Sequence, residues 1–317
     1  MSSYQALAIT GPTTSGKTAL SIPLAQRLGA EIISMDSRQV YRGMDIGTDK
    51  ASDAQRAAVP HHGLDLVDPD RRYSAARWAG SARSWIRQIR SRGRLPLLVG
   101  GTGFYLKALT EPIFREPKRD PGRRRRLQAW LARQPRGHLE RWARALDPER
   151  AAVAAEGGPQ RLIRALEVAL LTGRPLSWWH EHAPPEGPAV PVAVVVLSMP
   201  RERLDRQIET RARTMFESGL LEEVQALLDA GFTLDDPGMT GTGYREAAAV
   251  LAGEMTVEEA VERVQRATRQ YARRQLTWFR NQLPDDAVLA LDATRPVSDQ
   301  VDEVAAWWER IGAERGG

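Results

Sequence analysis

The chain contains no cysteine, which excludes disulfides and thiolate metal sites. Its five histidines show no ligand spacing beyond the neighbours His61-His62, so a metal is expected only as Mg²⁺ held on phosphate. No run approaches the roughly eighteen apolar residues of a membrane helix, and the first residues lack a basic segment leading into an apolar one. A cytoplasmic protein with no membrane partner is therefore expected. The glycines near residue 100 lack the spacing of a dinucleotide fingerprint, which removes a nicotinamide cofactor. No strand ends in the acidic pair of a nucleic-acid-dependent NTPase.

What is present begins with length: 317 residues suffice for a core domain plus a smaller one. A net charge of +5 and a pI near 9.8 come mainly from arginine, which carries meaning only where it clusters on one face.

One stretch organises the rest. Gly11-Pro12-Thr13-Thr14-Ser15-Gly16-Lys17-Thr18 follows the apolar run 6–10 and precedes a helical pattern over 19–28. This is a phosphate-binding loop. Two glycines let the backbone bend so that N–H groups and a helix N-terminus converge on a diphosphate, while Lys17 adds a point charge and Thr18 a hydroxyl for Mg²⁺. The next strand, 31–34, gives way to Met35-Asp36-Ser37-Arg38-Gln39. Strand ends are where ligands sit in open α/β sheets, so Asp36 falls on the same edge as the loop and can serve as a general base or hold Mg²⁺ through water.

Residues 42–59 are polar and too irregular for a long helix. A strand-like run is expected at 64–67, an amphipathic helix at 74–92 and a buried strand at 95–99, with Gly100-Gly101-Thr102-Gly103 as a second place where backbone can approach a ligand. From 116 to 189 there is no convincing strand but helical pattern at 127–133, 138–146 and 159–171, opening with Lys118, Arg119 and Arg123 to Arg126. The organisation read from this is a catalytic core of 1–115 and 190–317, interrupted by a helical insertion of 116–189. The core resumes with a valine-rich strand at 192–197 and a helix carrying Arg201, Arg203, Arg206, Arg211 and Arg213. In the long helix 257–283, Arg266, Arg269, Arg273 and Arg280 fall within about 60° of each other, opposite Val264, Ala267, Tyr271, Trp278 and Phe279. Such a stripe suits a phosphate backbone. A last strand at 287–291 and a helix at 301–311 complete the pattern.

On residues alone a nucleotide or small-molecule kinase using ATP stays open beside a transferase whose leaving group is another diphosphate. Only the second uses loop, Asp36 and basic stripe together.

Six blocks carry a more specific signal: Gly11-Pro12-Thr13 to Lys17-Thr18; Asp36-Ser37-Arg38-Gln39-Val40-Tyr41-Arg42-Gly43 with Asp45-Ile46-Gly47-Thr48; Pro60-His61-His62; Val99-Gly100-Gly101-Thr102-Gly103; Gln160-Arg161-Leu162-Ile163-Arg164-Ala165-Leu166-Glu167; and Tyr271-Ala272-Arg273-Arg274-Gln275 with Thr277-Trp278-Phe279-Arg280. In this order they resemble the tRNA dimethylallyltransferase family, the bacterial tRNA isopentenyltransferases, over nearly the whole length. Thr240-Gly241-Thr242-Gly243-Tyr244, Glu156-Gly157-Gly158-Pro159 and Gly103-Phe104 depart from the family's usual residues. The resemblance implies an α/β fold, a P-loop kinase-like parallel sheet flanked by helices, with an all-helical insertion domain contacting tRNA. It implies that residues 11–18 hold dimethylallyl diphosphate rather than ATP, with Mg²⁺ on Thr18 and with Lys17, Thr18, Arg211 and Asp36 as the catalytic groups. It further implies that Asp36, Ser37, Arg38, Gln39, Thr102, Arg124, Gln160, Arg161, Leu162, Ile163 and Arg164 face the anticodon stem-loop. A relative that prenylates free adenine nucleotides is the alternative. A monomer is expected.

Overall fold

Apolar runs without alternation become interior strands, because a strand covered by helices on both faces has no solvent side. The protein is described as a computed structural model over residues 4–111, 113–115, 117, 119–283 and 287–313. Six parallel strands, β1 (Ala6–Thr10), β2 (Ala30–Ser34), β3 (His61–His62), β4 (Leu95–Val99), β5 (Val192–Ser198) and β6 (Val288–Asp292), form one sheet in the order β3-β2-β4-β1-β5-β6. Between the strands run helices α1 (Lys17–Leu28), α2 (Asp53–Ala58), α3 (Ala75–Ser91) and α4 (Gly103–Thr110). Five helices follow: α5 (Pro121–Ala132), α6 (Arg136–Leu146), α7 (Pro148–Glu156), α8 (Pro159–Thr172) and α9 (Leu176–His182). After β5 come α10 (Arg201–Glu217), α11 (Leu220–Asp229), α12 (Tyr244–Leu251) and α13 (Val257–Gln282), and α14 (Val297–Ala313) ends the described chain.

The chain divides into two compact units, Met1–Glu111 with Ala189–Gly317, and Pro112–Pro188. Backbone bonds from Arg115 N–H to the Pro184 carbonyl and from Glu186 N–H to the Ile113 carbonyl tie the two ends of the second unit to each other. Glu116 and Lys118, at the opening of the expected insertion, lie outside the described residues.

In the first unit, Leu7 and Ile9 of β1, Leu97 of β4 and Val195 and Leu197 of β5 pack with Leu20 and Leu24 of α1 and Val304 and Trp307 of α14. A separate apolar cluster joins Val40 and Met44 to α10, α11, α12 and α13. Ile9 pairs with Val99 and Ser34 with Val99, while Thr10 pairs with Val196. The carboxyl ends of β1, β2, β4 and β5 therefore meet along one edge, where the loops that follow them converge.

The strand expected at 64–67 is absent, and His61–His62 takes its place beside β2. Asp65 has a left-handed φ of 54°, and the N–H groups of Asp65 and Leu66 go to the Gln39 and Val40 carbonyls instead of a strand. His62 Nε2 lies 2.8 Å from Glu31, and His61 Nδ1 lies 2.7 Å from the Val59 carbonyl, so the two histidines serve the sheet edge. The segment 42–59 contains α2, started by a capping box between Ser52 and Gln55.

The second unit has its own core, Leu131, Leu139, Ala143, Ala151, Ala154, Leu162, Ile163 and Leu166. Two of its helices, α7 and α9, have no counterpart in the sequence expectation. The first starts at Pro148 and the second directly follows Pro175, and both are short, too short to display an apolar period.

Candidate active site

The loop after β1 is shaped by three residues with positive φ: Gly11 at 148°, Thr14 at 63° and Gly16 at 86°. A Cβ on Gly11 would stand 2.9 Å from the Leu197 carbonyl oxygen, so that glycine is required by space as well as by angle. Gly16 caps α1, whose first N–H groups and helix dipole then face the loop. Lys17 folds back over it, donating to the carbonyls of Gly11 at 3.1 Å and Pro12 at 2.7 Å. Although Lys17 is partly exposed, its ammonium is desolvated there, and burial together with the Arg211 charge lowers its pKa to about 8 against the pull of Asp36 and Asp49. The hydroxyls of Thr14 and Ser15 are buried with no hydrogen-bond partner among the described residues. Buried polar atoms are ordinarily paired, and an oxyanion in the loop would pair these.

Arg211 reaches the loop from α10, with Nη1 3.3 Å from Thr13 Oγ1 and 3.3 Å from the Asp49 carboxylate. Arg203 and Arg206 of the same helix line the cavity that opens there, about 1280 Å³ in volume. The charge of one helix is thereby turned onto the loop. Its acidic counterpart is Asp36, whose Oδ1 accepts the Arg38 N–H at 2.7 Å in a tight turn after β2. Asp36 Oδ2 has no protein partner among the described residues. A second cavity of about 390 Å³ shares Thr13, Asp36, Arg211 and Tyr271 with the first. The carboxylate thus stands where the two chambers join, one lined by residues 13–18 of the loop after β1 and the other by Ser37, Arg38, Thr240, Thr242 and Arg274.

Helix α13 closes this arrangement. Tyr271, Gln275 and Trp278, at i, i+4 and i+7, present one face to the loops. Gln275 Oε1 accepts the Thr13 N–H at 2.8 Å, and its Nε2 donates to the Gly101 carbonyl at 2.8 Å. Trp278 covers Gly103, where a Cβ would meet its ring at 2.2 Å. Tyr271 lines both chambers. Burial and the nearby Asp36 charge push its hydroxyl up to about 12, against a hydrogen bond with Thr102.

With this geometry in place, the family comparison is decisive: the model for IPP transferases matches residues 39–282, and that for isopentenyl transferases matches residues 4–59. The chain belongs to the IPP transferase family. It is 47% identical over 274 residues to the tRNA dimethylallyltransferase of Anaeromyxobacter dehalogenans, covering 86% of this chain and 91% of that one. It is 44% identical over 306 residues to that of a Roseiflexus species, covering 95% and 98%. Among solved structures it is similar to the tRNA isopentenylpyrophosphate transferase of Bacillus halodurans, with TM-score 0.70, 36% identity and coverage of 98% and 97%. A eukaryotic dimethylallyltransferase acting on tRNA matches with TM-score 0.77 and 27% identity, covering 95% of this chain and 77% of that one. The α/β sheet flanked by helices is thus the fold of IPP transferases.

Within this family member, several residues expected at a ligand are engaged by protein. Gln39 accepts from Ser34 Oγ at 2.8 Å and donates to the Thr48 and Asp49 carbonyls at 3.2 and 3.0 Å, so its amide positions the segment that carries Asp49. Arg38 holds the carbonyls of Pro237 and Gly238 and the Thr240 hydroxyl. The Ser37 N–H donates to Thr102 Oγ1 at 3.2 Å, joining the turns after β2 and β4. The glycine cluster 100–103 is packed by protein where side chains would stand, since a Cβ would meet Met35 O at 2.1 Å from Gly100 and Gln275 Nε2 at 2.2 Å from Gly101, while Gly100 and Gly101 also line the larger cavity. These glycines admit packing by the protein itself.

The basic stripe is interrupted as well. Arg269 pairs with Glu209 at 2.5 Å and Asp205 at 3.6 Å, leaving Arg266, Arg273 and Arg280 exposed. Tyr271 and Trp278, expected on the core side, face the loops instead.

In the second unit, Leu162 and Ile163 are buried in the core rather than on an RNA face, since apolar side chains at 0% and 7% exposure already have protein neighbours on every side. Arg124 and Arg164 pair with the fully buried Glu167 at 3.0 and 2.9 Å, where Arg119 and Gln128 also bind. Gln160 and Arg161 are exposed. Gln275, Tyr271 and Glu167 are the residues that sequence reasoning left without a role. The spacing 271-275-278 was the available signal for the first two.

Proposed function

We propose that this chain transfers the dimethylallyl group of dimethylallyl diphosphate to the exocyclic amine of the adenosine 3′-adjacent to the anticodon in tRNA, acting as a cytoplasmic monomer. The observation that carries the reading is the position of Asp36 between a phosphate-loop chamber and a second chamber, in a chain of this family. The allylic diphosphate occupies the loop. The flipped-out base enters the second chamber, framed by Ser37, Arg38 and Thr102, with Gln39 holding the frame.

The loop's chemistry fits Mg²⁺. Its donors are hard oxygens, two of them buried and unpaired, and no cluster of three or more acidic or histidine ligands exists among the described residues, as suits an ion held mainly by phosphate oxygens and water. Thr18, in the first turn of α1, would be its protein ligand, and when bound the ion would offset charge on the diphosphate.

The chain's own groups account for the rest. An adenine amine is a weak nucleophile, so the barrier falls chiefly by stabilising the departing diphosphate as the allylic C–O bond breaks. Loop N–H groups, Lys17 and Arg211 do this, each well-placed donor supplying on the order of 3 kcal/mol. As the N–C bond forms, Asp36 takes the amine proton, for roughly 10² to 10⁴ in rate. Enclosure of the allyl group keeps water from the developing cation. The helical unit supplies further RNA contact, with Gln160 and Arg161 exposed for it and Arg124 and Arg164 set behind them on Glu167.

The test is incubation with labelled dimethylallyl diphosphate and either unmodified tRNA, AMP, or AMP plus ATP. Label in tRNA supports the reading. Label in AMP alone identifies an adenylate prenyltransferase, and ATP-dependent phosphorylation of AMP a kinase; either overturns it.

A further inference from the structure

The outer side of α5 carries a pattern that the transfer chemistry leaves unused. At about 100° per residue, Arg123, Arg126 and Arg133 fall within roughly 60° of Trp130, whereas Arg124 lies about 120° away, next to Leu131 and Gln128. The structure agrees with that division. Leu131 is fully buried and Arg124 and Gln128 bind Glu167, while Arg123, Arg126, Trp130 and Arg133 are exposed. Of the four consecutive arginines, then, one belongs to the interior and two share a surface with a tryptophan.

That tryptophan is half exposed, at 50%, the highest value for a tryptophan among the described residues. It does not wave in solvent. Trp130 stacks on Trp142 of α6 with ring centroids 5.4 Å apart and planes 13° from parallel, and His138 braces Trp142 from one turn earlier at 5.8 Å. One face of the Trp130 ring is therefore fixed on protein and the other is open. Arg126 and Arg133 lie about one helical turn to either side of it. Among the described residues, no carboxylate stands within ion-pair distance of the Arg123, Arg126 or Arg133 side chains. Solvated helix faces ordinarily mix charge signs. A row of unpaired guanidinium groups around a rigid, open indole instead matches a polyanion that also offers flat aromatic surfaces.

We infer that this face of α5 is a stacking platform for RNA: an unpaired base lies on the open face of Trp130 while flanking phosphates bind Arg123, Arg126 and Arg133. The inference rests on the RNA-modifying reading above and adds a site to it. It also moves the arginine contacts of the helical unit from Arg124, held by Glu167, to the outward members of the same run.

The experiment uses the full chain, with tRNA binding measured across a salt series and turnover measured at saturating dimethylallyl diphosphate. Trp130→Ala is expected to weaken tRNA binding about tenfold or more, with Trp130→Phe retaining most of it. Arg126→Gln with Arg133→Gln is expected to reduce the log–log salt slope by about 1.4 to 1.8. The turnover number at saturating tRNA should be unchanged in all three. Wild-type-like affinity and slope in every variant, with tRNA still prenylated, overturns the platform alone. Failure of the unaltered protein to bind or prenylate tRNA overturns both readings. Equal loss in Trp130→Ala and Trp130→Phe, accompanied by a collapse of the thermal midpoint, assigns the ring to the fold and also overturns the platform.

Discussion

Gln275 holds Thr13 by a 2.8 Å hydrogen bond across 262 residues of sequence, and the same amide holds the Gly101 carbonyl at 2.8 Å. A single side chain thereby sets the distance between the loop after β1 and the turn after β4. Gln275→Ala leaves a loop N–H and a buried carbonyl unpaired, each costing about 1 to 3 kcal/mol. The expected result is a KM for dimethylallyl diphosphate raised tenfold or more, with tRNA affinity nearly intact. Gln275→Glu should be at least as damaging, because a carboxylate can accept from Thr13 but repels the Gly101 carbonyl. Steady-state kinetics with each substrate varied in turn decides the matter, and an unchanged diphosphate KM would remove the clamp from the account.

On the proposed function, Lys17 is expected to set an alkaline limit. Burial and Arg211 penalise its ammonium, so the proton leaves near pH 8 rather than at the usual lysine value. Below that pH the charge is present; as pH rises through it, the charge that attracts diphosphate is lost. Thus kcat/KM for the diphosphate should fall above about pH 8, while kcat, measured with the anion bound beside Lys17, should hold to higher pH. In Lys17→Arg the limb should vanish even though activity is lower. Persistence of the limb in that variant would assign it to another group.

Asp36→Asn keeps an oxygen for the Arg38 N–H but cannot take a proton. Turnover should drop by roughly 10² to 10⁴ with both substrates still bound. Single-turnover rates and equilibrium binding, measured together, separate this from a folding defect. Full activity would make Asp36 a turn residue only.

Glu167 is the anchor of the helical unit. Its carboxylate is fully buried and faces Arg119, Arg124 and Arg164, so Glu167→Ala strands buried positive charge and should destabilise that unit by about 3 to 5 kcal/mol. Arg124→Gln should likewise lower stability and leave the salt slope of tRNA binding unmoved. A thermal melt paired with a salt titration tests both halves, and a changed slope in Arg124→Gln would return that residue to the RNA surface.

The parts legible in the sequence were those governed by local rules. Loop residues 11–18 announce themselves because two glycine angles and a lysine must fall at fixed spacing, and the strands read at 95–99 and 192–197 because burial on both faces removes alternation. The strand at 64–67 was misplaced because its apolar residues pack without joining the ladder, their N–H groups going to Gln39 and Val40. Gln39, Gln275 and Glu167 were opaque for a different reason. A polar side chain reads as a ligand contact or as surface until the partner that satisfies it is known in space, whether 5 to 10 residues away as for Gln39, 48 for Glu167 with Arg119 or 262 for Gln275 with Thr13. The arginine run was half readable, since helical period alone separates Arg124 from Arg123 and Arg126.

The sheet order has a consequence for synthesis on the ribosome. Strand β1 lies between β4 and β5, the former complete at residue 99 and the latter begun at residue 192. While the intervening helices are being made, the nascent chain can pair one side of β1 and must leave its other side, Ala6 to Thr10, as a bare apolar edge. Exposed edges of that kind recruit other strands. Chaperone demand for this protein should therefore peak in ribosome-bound chains that stop short of Val192 and fall once Ser198 has emerged.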